Sequence, residues 1–60
     1  MSEGGMKFNL HDKVKILALG VEGVIITIWI ADKATQFQVR YFWQGEAKEV
    51  YFYEWELERV

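Results

Sequence analysis

Apolar and polar positions begin to alternate at residue 13 and keep a period of two, with interruptions, almost to the end of the chain. "KVKIL" (13–17) puts Val14 and Ile16 on one side and Lys13, Lys15 and Leu17 on the other, the pattern of a half-buried strand. "GVIITIWIA" (23–31) is rich in β-branched residues and sets Val24, Ile26, Ile28 and Ile30 against Ile25, Thr27 and Trp29, so this second strand is apolar on both faces. In "QFQVRYFW" (36–43), Phe37, Val39, Tyr41 and Trp43 alternate with Gln36, Gln38, Arg40 and Phe42, which gives a third strand one clearly buried face. "KEVYFY" (48–53) opposes Val50 and Phe52 to Glu49, Tyr51 and Tyr53 as a fourth strand. The remaining "EWELERV" is too short for an independent helix and reads as one helical turn near Glu54 to Glu56, followed by a closing strand from Leu57 to Val60.

Punctuation agrees with this division. Gly20, Gly23 and Gly45 fall between apolar runs, where a turn needs positive φ or two backbones must approach closely, and "ADKAT" (31–35) and "QGE" (44–46) supply polar turns. A helix over 47–58 is excluded by its residues, since "VYFYEW" is a run of strand formers and the glutamates fall on several faces. The expected fold class is therefore all-β, five short antiparallel strands curled into a small barrel with one short helical turn before the last strand; closure removes the open edges that make sheets aggregate. Strand parity assigns Val24, Ile26, Ile28, Phe37, Val39, Tyr41, Trp43, Val50, Phe52 and Leu57 to the barrel interior. The same parity leaves Ile25, Trp29, Phe42, Tyr51 and Tyr53 outside. A one-residue bulge would reverse part of this assignment.

Composition changes the picture at three points. Sixty residues make a single domain that hides only about 60% of the surface its unfolded chain exposes, so every core side chain must be large. With no cysteine, the chain has no disulfide or thiolate zinc site to staple so small a core, and it reads as a protein of a reducing compartment. Hydrophobic content of 52% and aromatic content of 17% place it far from disordered chains. The start "MSEGG" has neither a basic region nor an apolar core and reads as no signal peptide; residues 1–6 are expected to form a flexible leader, residues 7–60 the domain, and the location to be cytoplasmic.

The succession "HDKVKIL", "GVEGVIITI", "FQVRYFW", the "QGE" turn and a terminal "WELERV" resembles the SH3-like barrels, in particular the KOW-type module of ribosomal proteins and transcription elongation factors, and is similar to short bacterial and phage proteins of the same build. The resemblance covers about residues 8–60. It rests on Asp12 before the first strand, Val14 and Ile16 within it, and Gly23, Val24 and Ile26 at the start of the second. His11 stands where the KOW pattern favours glycine. It implies an SH3-like barrel and, for the KOW relatives, nucleic-acid binding in transcription or translation.

Catalytic chemistry has little to work with. Ser2 in the leader, two threonines and the single His11 compose no nucleophile with its base, one imidazole without thiolate holds no zinc, and the five glutamates between Glu46 and Glu58 read as charges guarding a very apolar segment. The expectation is a non-enzymatic module with no cofactor, no metal, no small-molecule substrate and no membrane span. Two binding readings compete. Lys13, Lys15 and Arg40, with Lys7 and Lys48 as lesser contributors, form a thin basic stripe for nucleic acid, opposed by a net charge of −2. The rings at 29, 42, 51 and 53, with Ile25, form an apolar face suited to a protein partner or a second copy, because tyrosine and tryptophan are enriched at the centres of protein interfaces. The protein-binding reading is the stronger of the two.

Overall fold

A computed structural model describes residues 8–60; the expected leader at residues 1–6 lies outside the described residues. The chain is all-β, as the alternation predicts. Strands β1 (Lys13–Ile16), β2 (Val21–Ile30), β3 (Thr35–Trp43), β4 (Glu46–Tyr53) and β5 (Leu57–Arg59) form one antiparallel sheet in the order β4-β3-β2-β1-β5, with a 3-10 turn at Glu54–Glu56 before the last strand. β2 starts two residues earlier than the β-branched run suggests, because Val21 and Glu22 still have partners in Ile16 and Lys15.

Local chemistry sets each reversal. Between β3 and β4, Gln44 and Gly45 both take positive φ, 54° and 80°, between the paired residues Trp43 and Glu46. That is the primed two-residue turn whose twist matches a hairpin. Between β1 and β2 the amide of Gly20, at φ 73°, donates to the Ile16 carbonyl at 2.7 Å. The 3-10 turn is held at its start by the Glu56 carboxylate, which accepts from the Tyr53 amide at 2.7 Å, and at its end by the Glu56 carbonyl, which accepts from the Leu17 amide at 3.0 Å.

One cluster forms the interior. Phe8, Val14, Ile16, Ile25, Phe37, Val39, Tyr41 and Leu57 are buried, with Val21, Ile28, Trp43 and Phe52 packed against them. All five strands thus turn one face toward the same cluster, which requires the sheet to curl strongly around it. Phe8, from the segment before β1, meets Phe37 edge to face at 5.5 Å between centroids and adds a large ring that no alternation pattern announces.

Three expected interior positions are corrected. Val24 is exposed and Ile26 half-buried, because the β2–β3 register shifts between Ile25 and Thr27: Ile25 faces Val39, Thr27 faces Gln38, and Ile26 is the extra residue of a bulge. Before the bulge, Gly23 and Ile25 point inward; after it, Ile28 does, opposite Phe37. Val50 faces Val39 on the inner side but remains 41% exposed, because β4 is an edge strand and little covers it.

Gly23 is required by close approach. A Cβ there would lie 2.5 Å from Val39 Cγ1 and 2.7 Å from the Arg40 carbonyl oxygen. Gly23→Val should lower stability by about 1–3 kcal/mol through overpacking against backbone that has nowhere to move, read as a lower urea midpoint. An unchanged midpoint would show that β2 and β3 separate freely at this point. His11 has the opposite problem, since it holds φ 71°, a conformation that costs a side chain with a Cβ. His11→Gly should raise the melting temperature, by an amount equivalent to at most about 1 kcal/mol; a lower melting temperature would show that the imidazole contributes contacts outweighing the strain.

Candidate interaction surface

The cross-strand register orders the outer face of the sheet into rows. Trp29 faces Gln36, which faces Tyr53; in the next row Thr27 faces Gln38, which faces Tyr51. Beyond the bulge, Lys13 faces Val24, Val24 faces Arg40, and Arg40 faces Glu49. The last row carries Glu58, Lys15 and Glu22 on β5, β1 and β2, and Phe42 opposite Ala47 on β3 and β4.

Rings collect in the first two rows. Trp29, 57% exposed, meets Tyr51 edge to face at 6.0 Å. Tyr53 is half-buried and stacks on Trp55, with ring planes 6° apart and centroids 4.7 Å apart. Trp55 is itself 69% exposed. Neither row contains a charged side chain; Gln36 and Gln38 set carboxamides between the rings. Trp55 also borders a pocket of about 360 Å³ between the 31–34 loop and the 3-10 turn, lined in addition by Asp32, Lys33, Thr35 and Glu54. The result is an apolar strip with hydrogen-bonding amides along it and a concave, polar end.

Of the residues expected on the exposed aromatic face, the structure brings Trp29, Tyr51 and Tyr53 together and separates two. Ile25 is fully buried: the bulge after it reverses the assumed parity, and its peptide is bound by the segment before β1. Phe42 is exposed, as parity predicts, but lies at the opposite end of the face. It lines a groove of about 530 Å³ with Val24, Ile26, Lys13, Arg40 and Glu22. Trp55 was not anticipated. Its signal was available, because the turn predicted at Glu54 to Glu56 has to place the one tryptophan it contains somewhere, and Tyr53 immediately precedes it.

The basic stripe divides as well. Lys13 and Arg40 flank Val24 in one row, line the same groove, and form no ion pair among the described residues. Lys15 has Glu22 across from it on one side and Glu58 on the other, so its charge is locally opposed. Among the acidic residues of the last quarter, Glu46 pairs with Lys48 at 3.2 Å and Glu56 closes its own turn. Arg59 lies 3.5 Å from Asp12 and over the Phe8 ring, tying β5 to the segment before β1.

Among the described residues no group of three or more His, Cys, Asp and Glu side chains is placed to hold a metal ion, and no helix is long and apolar enough to cross a membrane. Compared with family models, curated proteins and solved structures, the chain matches none.

Inside and outside can be tested by one pair of substitutions. Trp29→Glu should leave the domain folded, at a cost below about 1 kcal/mol, because the ring is largely in water. Ile25→Glu should cost several kcal/mol by burying a carboxylate with no partner, and should abolish the cooperative melt followed by circular dichroism. Equal damage from both would place Trp29 in the core.

Proposed function

We propose that this domain is a non-enzymatic interaction module that binds protein, a second copy or a peptide from a larger complex, through the aromatic end of its outer face. The observation that carries the reading is the placement of Trp29, Tyr51 and Tyr53 in two adjacent rows without charge, interleaved with Gln36 and Gln38, with Trp55 stacked on Tyr53. Rings supply apolar area at small cost in side-chain entropy, and carboxamides can bond to the backbone of a bound chain. A phosphate backbone finds no cation in these rows. An exposed apolar strip of this kind, ending at a pocket, supports a binding role. The reading suits a small cytoplasmic protein of SH3-like, KOW-like build.

A second reading has its own observation. Lys13 and Arg40 share one groove with the exposed Phe42 ring, two unpaired cations beside a surface for stacking, which favours nucleic acid. It is the weaker of the two, because Glu22 lines the same groove, Glu49 faces Arg40, Lys15 is flanked by glutamates, and the whole chain carries a net charge of −2.

The two separate in one set of measurements on the full chain. Proteins retained on immobilised wild type should be lost with Trp29→Glu or Tyr51→Glu and kept with Arg40→Glu. In a parallel titration with generic RNA and DNA at low salt, backbone amide NMR signals should stay in place. Shifts centred on Lys13 and Arg40 that collapse as salt rises, with Trp29→Glu having no effect on retention, would replace the first reading by the second.

A further inference from the structure

The sheet ends on one side in β5, three residues long, and on the other in β4, eight residues long, with no strand among the described residues along the far side of β4. The turn that begins β4 dictates which of its amides are free. A two-residue primed turn makes Trp43 and Glu46 a hydrogen-bonded pair, and such pairs alternate along an antiparallel ladder. With the unbroken register to β3, the amides of Lys48, Val50 and Phe52 bond inward to the sheet. Those of Ala47, Glu49 and Tyr51 point to the open edge, whereas that of Tyr53 is already taken by the Glu56 carboxylate at 2.7 Å. Val50 to Tyr53 contain neither a charge nor a proline, two of the devices that usually blunt such an edge.

We propose that this edge takes a second copy of the chain, β4 against the partner's β4, antiparallel and centred on Tyr51. Opposed residues must lie on the same face, which leaves few registers, and side chains choose among them. Centring on Glu49 sets two carboxylates against each other. Centring on Val50 opposes the Lys48 ammonium to the partner's Phe52. Centring beyond Tyr51 runs past the strand's end at Tyr53. Centring on Tyr51 opposes Val50 to the partner's Phe52 on the inner face and Tyr51 to the partner's Tyr51 on the outer face, and directs Lys48 toward the partner's Glu54. The inner side of Val50, 41% exposed in a single chain, would be covered. The exposed Lys48–Glu46 pair is no obstacle, since surface ion pairs are worth little and exchange readily. The inference goes beyond the face reading, because it uses the backbone of an edge and not the surface around Trp29.

Sedimentation of the full chain from micromolar to millimolar concentration should show the mass rising from one chain to two, with the amides of Glu49 and Tyr51 exchanging more slowly as concentration rises. Tyr51→Cys, in a chain that otherwise has no cysteine, should give a disulfide-linked dimer on mild oxidation, because opposed residues in a hydrogen-bonded pair lie about 5.5 Å apart, within disulfide reach. Tyr51→Pro removes an amide that bonds nothing within the chain and should keep the β-sheet spectrum while losing the doubling. If that variant unfolds, the exchange and cross-linking results still decide. Wild type that stays a single chain throughout, edge amides that exchange as fast as loop amides at the highest concentration, or Tyr51→Cys that fails to cross-link would each overturn the proposal. Trp29→Glu should still double in mass whether or not it keeps another protein partner; loss of doubling there, with edge amides unprotected, would move the second copy to the aromatic face and also overturn it.

Discussion

The peptide of Ile25 is gripped from the segment that precedes β1: its carbonyl accepts from the His11 amide at 2.7 Å, and its amide donates to the Asp12 carbonyl at 3.0 Å. On its other side Ile25 faces Val39. With this residue fixed between two neighbours, its side chain points into the core, and the next residue, Ile26, is displaced as a bulge. The cost of the clasp is visible at His11, which must adopt a left-handed backbone to deliver its amide. Asp12 reinforces it twice, accepting from the Asn9 amide at 3.0 Å through its carboxylate and lying 3.5 Å from Arg59. What the protein shows to water along β2 therefore depends on a few hydrogen bonds at the sheet's edge of entry.

Strand positions were legible because alternation survives wherever one face is polar. β3 is the clear case: Gln36, Gln38 and Arg40 mark the outside, and Phe37, Val39 and Tyr41 are buried as that pattern requires. The turn at Gln44–Gly45 and the 3-10 turn at Glu54–Glu56 were equally readable, from a glycine between strand formers and from a segment too short for anything longer. β2 was not. "VIITIWI" is apolar in both phases, so its pattern is satisfied by either assignment and a bulge leaves no mark in it. The inversion at Ile25 was thus invisible in residues, although the requirement for a glycine two positions earlier was not.

The surface was readable to the same extent and for the same reason. Trp29, Tyr51 and Tyr53 follow from parity after the bulge and in β4, where the phase was right. Their grouping with Trp55, and the removal of Phe42 to the far end, depend on register between strands, which alternation within each strand does not encode. Phe8 escaped notice because it precedes the first alternating run, and a single ring outside a pattern carries no phase.

The arrangement of β1 also bears on how the molecule assembles. β2, β3 and β4 are sequence neighbours joined by short reversals, so their ladders close small loops and can form early. The ladder between β1 and β5 joins Val14 to Arg59, almost the full span of the domain, and it brings in Leu57, one of the buried side chains. Loop-closure entropy makes that pairing the slowest to nucleate, and the four-stranded meander of β1 to β4 waits for it with one side of its apolar face uncovered. The final strand, only three residues long, thus acts as the latch that turns a loose meander into a cooperative unit.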